Sequence, residues 1–128
     1  MELGSLQTAS IHQEGAEVNI LSPVDGTPTD VFIKIMGADS KPWRDAKKKQ
    51  ASKINEHLRN GGKYEELDYD SMDAEALASV TLEWKGITKD GKAYKCTYDN
   101  ALALYSDSPA VSSQLLAFIS DRENFISG

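Results

Sequence analysis

Three consecutive stretches decide the fold class: Glu17-Val18-Asn19-Ile20-Leu21, then Ser22-Pro23-Val24-Asp25-Gly26-Thr27-Pro28, then Asp30-Val31-Phe32-Ile33-Lys34-Ile35-Met36. In the first, Val18 and Ile20 point one way and Glu17, Asn19 and Leu21 the other, the alternation of a half-buried strand. The second holds two prolines and an Asp-Gly pair. Proline sets φ and glycine accepts a positive φ without a Cβ clash, so the chain turns there. The third is β-branched and aromatic, with Val31, Ile33 and Ile35 on one face. Strand, turn and strand make an antiparallel β-hairpin.

Downstream of the hairpin the period changes to that of helices. Ser40 and Pro42 form a helix start, since the serine side chain can take a first-turn N–H and proline loses nothing at that position. Trp43, Ala46, Gln50, Ile54 and Leu58 then fall on one stripe, and Asn60-Gly61-Gly62 stops the helix, predicted over residues 41–59. Residues 63–71 are acidic and tyrosine-rich, a polar loop or a helix extension. Asp70 or Ser71 is expected to cap a second helix carrying Asp73, Leu77, Val80, Trp84 and Ile87, with Gly86 near its end. Lys89-Asp90-Gly91-Lys92 is a turn signal, and residues 93–97 are expected to be extended. Thr97 caps a third helix over residues 98–105. Ser108 caps a fourth that Pro109 opens, with Val111, Leu115, Phe118 and Ile119 as its buried face. Phe125 and Ile126 are expected to dock back on the body. Strands and helices are segregated, so the class is α+β: an N-terminal antiparallel β-hairpin followed by three to four α-helices in a single domain. Upstream, residues 1–14 are polar and read as a flexible leader, leaving residues 15–128 as the domain.

The bulk composition suits this. A chain of 128 residues with 40% hydrophobic and 27% charged residues fits one packed domain. Its net charge of −6 removes the counterion-release gain on which nucleic-acid binders rely, and it opposes anionic membranes. The basic run Arg44, Lys47, Lys48, Lys49 and Lys53 reads as a solvated helix face. No apolar run approaches the ~18 residues of a membrane span. Cys96 is the single cysteine, which excludes an internal disulfide and suits a reducing cytoplasm.

A search for chemistry finds little. His12 and His57 have no HxxxH or CxxC spacing, so neither a metal nor a cofactor is expected. The acidic run from Glu65 to Asp73 lacks the calcium-loop spacing. Cys96 has Lys95 and Thr97 as neighbours, with no base adjacent in sequence, and a Cys96–His57 pair is the one nucleophilic arrangement to check. Gly61-Gly62-Lys63 follows a helix instead of opening one, which argues against a phosphate cradle. The expectation is a protein that binds without catalysing. Candidate partner-binding residues are Trp43 and Trp84, each equally suited to a core stripe, and Tyr64 and Tyr69 in the acidic stretch.

Five motifs, in order, resemble those of the tail assembly chaperones of long-tailed bacteriophages. Pro23 to Asp30 is similar to that family's P-x-T/D-G-x-P-T-G/D turn, with Asp30 where glycine is frequent. Val31 to Ser40 resembles its second strand and the D-S helix start. Trp84-Lys85-Gly86-Ile87 followed by Asp90-Gly91-Lys92 resembles its W-x-G segment. Tyr98-Asp99-Asn100-Ala101 is similar to s-x-E-N-a, with Asp99 replacing glutamate, and Asp121-Arg122-Glu123-Asn124-Phe125 resembles the terminal D-R-x-N-F. The resemblance runs from Glu17 to Phe125, while residues 43–67 match in character alone. It implies a non-enzymatic protein of the bacterial host cytoplasm that binds the tape measure protein, a long and poorly soluble helical chain, until tube subunits assemble around it. It also implies contact with the tail tube protein through a longer frameshifted form. Self-association is compatible with it. The alternative is a structural tail or head–tail joining subunit of a phage or prophage.

Overall fold

The computed structural model describes residues 1–126. Strand β1 (Ala16–Leu21) pairs antiparallel with β2 (Pro28–Ile35), Val18 facing Ile33 and Ala16 facing Ile35. The turn between them is tied by the Ser22 N–H to the Thr27 carbonyl at 2.8 Å and by the Asp25 carboxylate, which accepts from both the backbone and hydroxyl of Thr27. The face carrying Ile20, Ile33 and Ile35 is buried, as the alternation requires.

Helix α2 (Lys41–Arg59) has the predicted bounds. Ser40, fully buried, caps it by accepting from the Trp43 N–H, while its hydroxyl donates to Gly37 O at 2.7 Å. At the other end the Gly62 N–H bonds His57 O. A 3-10 turn (Tyr64–Glu66) leads into α3 (Tyr69–Val80), capped by Asp68, not by Asp70 or Ser71: Asp68 lies one residue before the first helical turn, where its carboxylate reaches the Ser71 N–H at 3.0 Å. Helix α3 packs against α2, α4 (Tyr98–Asp107) and α5 (Pro109–Ser120), and α5 against β1. Thr97 caps α4 as expected. Ser108 precedes α5 without a side-chain capping bond, and the Val111 and Ser112 N–H groups bond its backbone carbonyl.

The second helix does not continue to Ile87. It stops at Val80, and Thr81–Lys85 becomes strand β3, paired antiparallel with β2 in a three-stranded sheet of order β1-β2-β3. The residues 73, 77, 80, 84 and 87 fit a helical period, yet Thr81-Leu82-Glu83-Trp84-Lys85 also alternates. The outer edge of β2 decides between the two, because a bare hairpin would leave that strand's N–H and C=O groups unpaired beside the core. Trp84 pairs with Ile33, and Thr81 with Ile35. After β3 comes Gly86 at φ +87°, where a Cβ would overlap the Asp30 carbonyl, so only glycine lets the two backbones approach. A small ribbon, β4 (Thr88–Lys89) with β5 (Lys92–Ala93), replaces the expected 93–97 strand.

The core gathers Ile33, Ile35, Leu77, Val80, Leu115 and Ile119, all fully buried, with Ala74, Ala76 and Ala101 where helices approach closely. Each large aliphatic side chain there contributes about 1.5–3 kcal/mol relative to exposure. The fold is α+β, with five α-helices among the described residues.

One expectation about the N-terminus is corrected. Residues 1–14 are not wholly a loose leader: Ala9–Glu14 form helix α1, and His12 is 1% exposed. The sequence pattern there is polar, and what orders it is distant. Phe125, buried as expected, stacks on the His12 ring, whereas Ile126 stays 56% exposed.

Candidate partner-binding surface

The four residues singled out from sequence do not come together as one patch. Trp43 lies in the core at the start of α2, with the Lys47 ammonium 4.7 Å from its ring centre. Trp84 is half-buried, its indole stacked on Tyr94 at 5.9 Å and its Nε1–H donating to the Tyr94 carbonyl at 2.6 Å. That bond ties β3 to the segment after the ribbon. Tyr64, 60% exposed, and Tyr69, 49% exposed, sit before and at the start of α3. These two remain on the surface.

The apolar concavity lies elsewhere, at the turn end of the hairpin. Leu21 and Pro23 from the turn side, Val31 from β2, Ile87 after β3, Leu104 from α4 and Val111 from α5 line a trough of about 330 Å³. Its floor is Ile20 and Ile33, both buried, and Gly86 forms part of its wall. Gln114 of α5 pins β1 at this point, accepting from the Leu21 N–H at 2.7 Å and donating to the Leu21 carbonyl at 3.0 Å. The backbone groups of Leu21 are thereby satisfied, while its side chain stays 41% exposed. A concavity of this size and polarity takes aliphatic side chains, as along the apolar stripe of an amphipathic helix. The sequence does not disclose it, because the local pattern puts Ile87 on a helix and Leu21 on the outward face of its strand.

The titratable groups divide between structural ties and solvent. The His57 ring packs on Gly62, and its Nε2 bonds the Lys63 carbonyl at 2.9 Å. Cys96 is half-buried. Burial pushes its thiol up, and the Glu83 charge raises it further, so the thiolate needed by a nucleophile is disfavoured. Among the described residues no three His, Cys, Asp or Glu side chains gather as they would around a metal ion. Nor is any described helix long and apolar enough to cross a membrane. In the basic run, Lys47 reaches Asp73 at 3.5 Å, while Arg44, Lys48 and Lys49 point to solvent.

A second cluster joins the chain ends. Asp39 takes a bidentate pair from Arg122, at 2.8 Å and 2.9 Å, and a hydrogen bond from the Thr8 hydroxyl. These bonds hold the Asp39 carboxyl at about 2, Arg122 contributing most. Nothing local in the sequence shows that these residues meet, since Thr8 and Arg122 lie 31 and 83 residues from Asp39. No family profile, curated protein or solved structure matches the chain.

Proposed function

We propose that this chain is a tail assembly chaperone of a long-tailed bacteriophage. It acts in the host cytoplasm by binding the tape measure protein and keeping it soluble until tube subunits arrive, with no chemical step of its own. The observation that carries the reading is how the resembling motifs meet in space. The turn motif and the W-x-G motif touch where Gly86 lies against Asp30. The D-S helix start and the terminal D-R-x-N-F touch through Asp39 and Arg122. Residues scattered over the sequence thus serve shared contacts, as the parts of one inherited design would.

The trough supplies a physical means. An amphipathic helix of the partner lays aliphatic side chains against Leu21, Ile87, Leu104 and Val111, and the −6 charge keeps the complex dispersed. Contact with the tube protein through a longer frameshifted form belongs to the same proposal. The test is co-expression with a tape measure fragment from the same genome. A soluble complex is expected, and the double variant Leu21→Asp, Ile87→Asp should lose at least tenfold in affinity while keeping its circular dichroism spectrum. A fragment that stays insoluble beside abundant chain would refute the proposal. Recovery of the chain in purified virions by mass spectrometry would instead favour a structural tail or head–tail joining subunit.

A further inference from the structure

Among the described residues, His12 is a buried polar side chain with a nitrogen that has no hydrogen-bond partner, and the partner-binding reading leaves its chemistry unused. Its surroundings are specific. The ring is 1% exposed and stacks on Phe125 at 4.6 Å with 26° between the planes. Gly37 lies directly against the ring, so close that an added Cβ would overlap Nδ1. The backbone N–H of Asp39 donates to Nδ1 at 3.0 Å. On the other side of the ring, Nε2 has no hydrogen-bond partner, the Asp39 Oδ2 standing off at 3.6 Å.

These contacts dictate the protonation state. A nitrogen that accepts from an amide carries no proton, so Nδ1 is bare and the single ring proton sits on Nε2. Adding a second proton places an N–H at Nδ1 against the N–H of Asp39. The ring loses its one hydrogen bond, and a backbone donor beside it is orphaned.

We propose that His12 is a proton-operated latch: α1 stays closed over Phe125 while the imidazole is neutral, and a second proton frees α1 and uncovers that aromatic face. The charged groups facing the ring are Asp39 on the linker before α2 and Arg122 on the C-terminal turn. From α2 itself, Arg44 lines the open cleft outside the cluster, together with α1's Ser10 and Gln13. Asp39 attracts a second proton, but Arg122 opposes it and already occupies both carboxylate oxygens. Burial outweighs either charge and moves the His12 pKa below its ordinary 6.5. Asp39, held at about 2, remains ionised throughout the range in which the imidazole titrates. The Asp39–Arg122 pair therefore stays closed as a fixed post, and only α1 moves.

The sign follows. The open state binds the proton more readily than the closed one, so the latch is fully closed above 6.5 and loosens as pH falls from there toward the lower closed-state value. Within that window the opening equilibrium rises by up to about tenfold per pH unit. Phe125 and its edge-on neighbour Phe118, 5.5 Å away, are what opening presents to solvent or to a partner.

The experiment is nitrogen-15 NMR on the full chain between about pH 8 and about 5. At the upper end the His12 ring should show its proton on Nε2 and none on Nδ1. On acidification the amides of Ala9–Glu14 should move to unstructured positions in step with His12, while those of α3 stay in place. His12→Asn gives the Asp39 N–H an acceptor that does not titrate, so α1 order should become independent of pH. His57→Gln should leave the wild-type profile unchanged. A proton on Nδ1, a His12 titration above 6.5, or α1 amides that stay put while His12 titrates would each overturn the latch. The ring-nitrogen measurement is made on the native chain and decides even if His12→Asn folds poorly.

Discussion

Alanine at position 86 would put a methyl group into a place held open by two backbones. Gly86 has φ +87°, and a Cβ there would lie 2.7 Å from the Asp30 carbonyl carbon and 3.1 Å from the Val31 Cα. Ordinary carbon–carbon contacts are about 3.5–4.0 Å, so β2 or the segment after β3 must shift. The left-handed backbone costs an L residue roughly 1–2 kcal/mol. Displacing well-packed neighbours adds about 1–3 kcal/mol, for a total of roughly 2–5 kcal/mol. Gly91 is an internal control: its φ is +78°, but nothing lies within 4 Å of its virtual Cβ, so Gly91→Ala carries the backbone cost alone. At roughly 4 °C per kcal/mol, Gly91→Ala should lower Tm by about 4–8 °C and Gly86→Ala by about 8–20 °C. Urea unfolding should show the same order in its midpoints at unchanged slope. Equal losses in the two variants would refute the reasoning, because the close approach of Gly86 to Asp30 would then contribute nothing to the fold.

Two further outcomes test the structure at other points. Trp84→Phe removes the indole N–H bonded to the Tyr94 carbonyl but can keep the aromatic stack, so it should cost about 0.5–1.5 kcal/mol in urea unfolding. A loss of partner affinity with no loss of stability would instead make Trp84 a binding residue. Asp39, lowered from 3.8 to about 2 by Arg122, contributes stability that is complete above 3.8 and is lost as pH falls toward 2. Asp39→Asn should remove that acid-dependent limb, as measured by unfolding at fixed urea across the same range.

How far the residues alone could be read depends on how local the deciding contact is. The bounds of α2 were legible because every signal is within four residues of an end: Ser40 takes the Trp43 N–H, Pro42 fills the first turn, and Asn60-Gly61 ends it. The hairpin was legible for the same reason, since the Asp25 carboxylate takes the Thr27 N–H and hydroxyl, the Gly26 N–H bonds the Ser22 carbonyl, and alternation marks both strands. The partner candidates were less legible. Trp43 and Trp84 have the spacing of core residues and of interface residues alike, and only packing distinguishes them.

Tertiary structure decided the remainder. Thr81–Lys85 suits a helix or a strand by pattern, and the unpaired edge of β2 selects the strand. That choice moves Trp84 onto the sheet and Ile87 to the trough, where residues from the hairpin, α4 and α5 converge. The N-terminal helix has a polar sequence, and its order comes from Phe125 and Asp39, more than 25 positions away. Local capping and periodicity are written in neighbouring residues. Edge satisfaction, a shared apolar wall and a buried imidazole exist only after distant segments meet, and so they are properties of the folded chain.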